Sequence, residues 1–79
     1  MTTENWHDKG HDYAYNWKRG NMLPEFPSEK EKDEFTEGYC TGWWERGNDD
    51  ARSGRSHLTD FPNRTAAVNY HDGWEDEFC

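Results

Sequence analysis

His7-Asp8 and His11-Asp12 form an HDxxHD pair near the start of the chain. Histidines four residues apart share one face of a helix, where two imidazole nitrogens can hold a Zn²⁺ ion. Asp8 or Asp12, with a distant His71-Asp72, would complete such a site. The same spacing equally suits a solvated face with polar contacts between successive turns. The Glu that zinc-protease helices carry between their two histidines is missing here. His7 and His11 are therefore metal candidates only in second place, and the chain is expected to carry no resident cofactor. Cys40 could act as a nucleophile beside a histidine, but no Cys–His–Asn pattern accompanies it. The expectation is a half-buried structural thiol, with Cys79 exposed. Gly38 and Gly42 lack the Lys-Ser/Thr ending of a phosphate loop and read as a notch for helix packing. No carboxylate pair is set apart by apolar neighbours. These residues point away from an enzyme.

Binding is the chemistry that remains. Five Trp, four Tyr and four Phe could stack on nucleic-acid bases, but most of them fall at core spacing. Trp44 lies off that spacing, next to Glu45 and Arg46. Tryptophan is a frequent anchor of protein interfaces, so Trp44, with Tyr15, is the expected exposed contact. The acidic residues cluster as Glu29, Glu31, Asp33, Glu34 and Glu37, then Asp49 and Asp50, then Asp72, Glu75, Asp76 and Glu77. B-DNA carries a charge about every 1.7 Å along its axis, and a helix rises about 1.5 Å per residue. Rows of helical carboxylates are sparser than phosphates but comparable in order. Such rows can imitate nucleic acid toward a basic cleft. On this reading the partner-binding residues are Glu34, Glu37, Trp44, Asp49, Asp50, Asp72, Glu75 and Asp76.

Composition bounds the scaffold. The 79 residues suit one small helical domain, 1–79, which buries roughly 60% of its unfolded surface. Only 30% of residues are apolar, mean hydropathy is -1.47 and the formal net charge is -8. Those values alone would fit disorder. The aromatic rings oppose it, since each buries on the order of 150–250 Å². Seventeen Asp and Glu against nine Lys and Arg disfavour direct nucleic-acid binding, which rests on cation–phosphate contacts. They favour a protein partner with a basic surface. No apolar run approaches the ~18 residues of a membrane span, and no secretory signal is evident. Two cysteines are too few for a disulfide scaffold, so a cytoplasmic setting is expected.

The spacing predicts three helices, or four. The central one, over 28–53, carries Phe35, Tyr39 and Trp43 four residues apart as a single stripe. Ser28 and Glu31 have the capping-box spacing, with each side chain expected to accept an end N–H. Gly38, Gly42 and Gly47 each cost about 1 kcal/mol relative to Ala inside a helix. They predict either close backbone approach or a bend, with Gly47-Asn48 the expected break. The first helix is predicted over 5–19, with Gly20 as its stop. Pro24 and Pro27 exclude helix from the loop that follows, and Leu23 and Phe26 are expected to fold back onto the core. Gly54 stops the central helix. Leu58 and Phe61 lie in the second loop. Asn63 is expected to cap a last helix striped by Tyr70, Trp74 and Phe78, rather than to act as a glycosylation acceptor.

Two series of residues repeat. Trp6, Gly10, Asp12 and Ala14 recur 37 residues later as Trp43, Gly47, Asp49 and Ala51. Phe26, Pro27, Phe35, Gly38, Tyr39 and Trp43 recur 35 residues later as Phe61, Pro62, Tyr70, Gly73, Trp74 and Phe78. Fixed offsets of this kind mark an internal repeat. The implied fold is all-α, a three- to four-helix domain of two overlapping helix–loop–helix units, about 6–43 and 43–78. Two ring-lined hairpins would share their middle limb. The pattern Ala14, Gly20, Pro24 or Pro27, Phe35, Gly38, Gly42 and Trp43 resembles ribosome modulation factor and its small relatives, phage-encoded ones included. Ala51, Gly54, Pro62, Tyr70, Gly73 and Trp74 repeat it more loosely. The resemblance implies a helix–loop–helix fold, and as one function a ribosome-associated modulator. The acidic surface points instead to a phage or mobile-element protein that docks on a host protein or protein–nucleic-acid machine and inhibits it. A metal-binding protein is the third reading.

Overall fold

A computed structural model describes residues 5–77. Phe78 and Cys79, placed by spacing on the last stripe and at an exposed end, lie outside the described residues. The chain is a small all-α domain of three packed helices: α1 (Trp6–Tyr15), α2 (Glu29–Arg52) and α3 (Arg64–Glu77). There is no strand among the described residues, and no helix is long and apolar enough to cross a membrane. α2 is the axis of the molecule. Its 24 residues span about 36 Å at 1.5 Å per residue, most of the 41 Å long dimension. α1 packs on it from Phe35 to Asp49 and α3 from Trp44 to Arg52.

The hairpin expectation needs correction. Contacts between α1 and α2 rise together, from His7 at Gly38, through His11 at Glu45, to Tyr15 at Asp49. Consecutive helices therefore run in the same sense. Each loop must travel back along the helix pair, which is why both loops are long and carry rings. Phe26 returns to Trp6, and Phe61 returns to Trp43.

The two helix crossings are built alike. A Cβ added to Gly10 would stand 2.0 Å from the Phe35 carbonyl oxygen, and one on Gly38 would stand 1.8 Å from that of His7. Thirty-five to thirty-seven residues on, a Cβ added to Gly47 would stand 2.0 Å from the Tyr70 carbonyl oxygen and one on Gly73 would stand 1.9 Å from that of Trp44. The rings repeat as well. Trp6–Phe26, Trp6–Phe35, Phe26–Phe35 and Phe35–Tyr39 lie at 5.7, 6.5, 5.0 and 6.1 Å. Their counterparts Trp43–Phe61, Trp43–Tyr70, Phe61–Tyr70 and Tyr70–Trp74 lie at 5.6, 6.3, 5.3 and 6.2 Å. Trp43, of the second set, also meets Tyr39 of the first at 6.2 Å; it is fully buried, as is Tyr70.

Local departures from the expected ends have physical causes. α2 does not break at Gly47, because the missing side chain admits the α3 backbone, and Trp43, Asn48 and Asp50 on either side are buried. Three helices result, not four. α1 ends at Tyr15, four residues short of the expected end, because Trp17 leaves the helix to pack on Trp43. The Arg46 guanidinium donates to the Ala14 and Trp17 carbonyls, both at 3.0 Å, and so closes that end from α2. Gly20 instead makes a later turn at φ 99°. Ser28 does begin α2, but its hydroxyl donates to the Glu31 carboxylate rather than accepting a backbone N–H. Gly54 stops α2 at φ 75°. There the Arg55 N–H reaches the Asp50 carbonyl and the Gly54 N–H reaches that of Ala51, the Schellman arrangement. Asn63 caps α3 by accepting from the Ala66 N–H at 2.9 Å. Phe26, Leu58 and Phe61 pack on the core, whereas Leu23 stays half exposed.

All four tyrosines hold their protons more tightly than a free phenol. Burial, and then the Asp50 carboxylate that accepts its proton at 2.6 Å, push the Tyr70 phenol up to about 12. Burial raises Tyr39 and Tyr13, and donation to Asp49 followed by burial raises Tyr15. In the unfolded chain tyrosine titrates near 10. Between those values the native state binds more protons, so stability is full below about pH 10 and is lost toward about pH 12. The urea midpoint is expected to fall steadily through that window, with tyrosinate absorbance rising together with the loss of helical circular dichroism. Tyrosinate appearing well ahead of helix loss would contradict this coupling.

Candidate binding surface

Trp44 lies off the core stripe, as its spacing implied, and is 36% exposed. With Cys40, Thr41, Glu45 and Asn69 it lines a shallow groove of about 360 Å³ where α2 meets α3. Along α2, Glu34, Glu37, Thr41 and Trp44 recur at steps of three and four and so share a face. Along α3, Asn69, Asp72 and Asp76 do the same. The groove touches the α2 row at Thr41 and Trp44 and the α3 row at Asn69, and the carboxylates Glu34, Glu37, Asp72 and Asp76 continue those rows away from it. Glu37, Asp72 and Asp76 are exposed and Glu34 is half-buried. Lys30 heads the α2 row, one turn before Glu34, and the carboxylates outnumber it.

Three carboxylates of the expected set stand elsewhere. Asp50 is 8% exposed. It accepts from the Tyr70 hydroxyl at 2.6 Å and from Arg55 at 3.0 Å, tying α3 and the second loop to α2. A carboxylate so engaged is structural and unavailable to a partner. Asp49 is half-buried and accepts from the Tyr15 hydroxyl. Tyr15 is thereby held in the α1–α2 seam, stacked on His11, rather than exposed. Glu75 pairs with His71 at 3.1 Å, one turn back on α3.

The histidines divide differently from the sequence pairing. His11 turns its Nε2 to Glu45 across the α1–α2 seam. His71 lies on α3 against His57 and does not meet His7 or His11. Among the described residues no three His, Cys, Asp or Glu side chains gather to hold a metal ion. Cys40 is half-buried in the wall of the Trp44 groove.

Two features had no signal in the sequence. Arg46 reads as a surface cation beside Trp44, yet it caps α1 while lying 5.1 Å over the Trp43 ring. His57 reads as a loop residue, yet it sits edge-on to Tyr70 and Trp74, each at 5.0 Å. Set against known proteins, the chain matches no protein-family model, no curated protein and no solved structure.

Proposed function

We propose that this chain is a small non-enzymatic binding protein that docks on the basic surface of a larger protein or protein–nucleic-acid assembly and obstructs it. The supporting observation is the exposed Trp44 in its groove, with the exposed carboxylates Glu37 on α2 and Asp72 and Asp76 on α3 at helical spacing from the residues that line it. Carboxylates in rows raise the encounter rate with a basic surface, and a tryptophan in a groove supplies the short-range anchor. A nucleic-acid-binding cleft is the chemistry such rows would fit. Asp49 and Asp50 take no part, because Tyr15, Tyr70 and Arg55 hold them.

The test is capture of partners from host lysate by the tagged chain, followed by challenge. The triple reversal Glu37→Lys/Asp72→Lys/Asp76→Lys leaves the core untouched. It is expected to lower capture about tenfold or more, as is salt of about 0.5 M, and added duplex DNA should compete. Capture indifferent to salt, to DNA and to the reversal would remove the proposal.

A further inference from the structure

The offset of 35 that relates the two loops pairs Met22 with His57 and Leu23 with Leu58. In the second unit the His57 ring fills a nest of side chains, with Phe61, Tyr70, His71 and Trp74 at 6.4, 5.0, 5.7 and 5.0 Å. The same offset carries those four back to Phe26, Phe35, Thr36 and Tyr39. All four line a cavity of about 210 Å³ between the first loop and α2. Met22, the counterpart of His57, is instead 87% exposed. One hydroxyl accounts for the difference. The Leu58 N–H donates to the Tyr70 hydroxyl at 3.1 Å, which draws the second loop and His57 inward. Phe35, the counterpart of Tyr70, has no oxygen to receive the first loop. That loop is held elsewhere, by the Tyr13 hydroxyl donating to the Asn21 carbonyl at 3.2 Å.

We propose that this cavity binds a small planar aromatic carboxylate, its ring seated as the His57 ring is in the second unit. The size fits, since a cavity of about 150 Å³ is enough to take benzene. Phe26, Phe35 and Tyr39 offer the guest ring the tilted and edge-on contacts, at about 4.5–7 Å between centroids, that aromatic pairs prefer. The charge of the guest follows from the rest of the wall. Lys32 lines the cavity where the second unit has Ala67, and so sets a cation beside the ring. Thr65 lines it from the first turn of α3, the end of a helix where negative charge is favoured. The same ammonium group disfavours a cationic guest, which three rings alone would accept. The cavity shares no residue with the Trp44 groove, so the two proposals stand or fall independently.

The test is a magnetic-resonance titration of the isotope-labelled chain with benzoate, and with benzamide as its uncharged match. Saturable shifts are expected at the amides of Leu23, Thr36, Tyr39 and Thr65, with those of Trp44 and Asn69 unmoved. Benzoate should bind about threefold more tightly than benzamide, the scale of one exposed ion pair. Lys32→Ala, at an exposed position, should erase that preference and leave benzamide binding as it was. Thr36→Trp, also at an exposed position, sets a ring in the cavity wall and should weaken both ligands about tenfold or more. Should Thr36→Trp fail to fold, Lys32→Ala alone decides. No saturable shift in the parent chain would overturn the proposal. So would benzamide binding as tightly as benzoate, or binding that survives Thr36→Trp. Binding that appears only in Met22→Ala would make the Met22 side chain the occupant. Shifts at these amides that follow protein concentration alone would make it a second copy of the chain. Either result overturns the proposal.

Discussion

Gly38→Ala is expected to destabilise the domain by about 3 kcal/mol or more, the reverse of what helix propensity alone gives. In an ordinary helix interior alanine is better than glycine by about 1 kcal/mol. Here the new methyl would stand 1.8 Å from the His7 carbonyl oxygen, where ordinary contact begins at 3.4 Å. The obstruction is backbone at the centre of a helix crossing, so no side chain can swing aside. α1 must lift from α2, which exposes the Trp6–Phe35–Tyr39 rings. Overpacking of a rigid site typically costs 1–3 kcal/mol, and backbone obstruction falls at the upper end or beyond. Gly73→Ala meets the Trp44 carbonyl at 1.9 Å and should behave alike at the other crossing. Urea unfolding decides between the accounts. A rise in stability for either variant would mean that the helices are not in backbone contact.

Trp43→Ala carries the second large effect, about 4 kcal/mol by the scale of buried aromatic truncations. The ring is wholly buried. It meets Trp17 and Tyr39 of the first unit and Phe61 and Tyr70 of the second, with Arg46 over its face. Its contacts thus link the rings of the first unit to those of the second. Hydrogen exchange should therefore accelerate in α1 and α3 together, although the two helices pack against different glycines of α2. Loss of protection in only one of them would show that the halves have separate cores.

The helices and their stripes were legible in the sequence because aromatic residues are so sparse against a charged background. Phe35, Tyr39 and Trp43 could hardly face anything but the core. The offsets of 35 and 37 also carried real geometry, since equivalent rings recur at nearly equal distances. Helix direction was not legible, because a loop's length does not say whether it turns back or travels alongside. The behaviour of Gly47 was ambiguous for a related reason. Glycine permits a break and permits close approach, and only the neighbour's position selects between them. Of the binding residues, Trp44 stood apart by its phase on α2. Asp50 did not, since its burial depends on Tyr70 and Arg55 arriving from elsewhere in the chain. The His57–His71 meeting likewise depends on where the second loop lands.

Helix length here follows the number of neighbours. α1 and α3, with 10 and 14 residues, each serve one crossing, and α2, with 24, serves two. Its first crossing uses Gly38 and its second uses Gly47, nine positions on along the same rod. The architecture is thus modular in a particular way: each further loop and helix needs only a longer preceding helix with a glycine about nine residues past the last. A designed chain that extends α3 by that rule, and adds another ring-bearing loop, would grow as a filament-like stack rather than as a second globule.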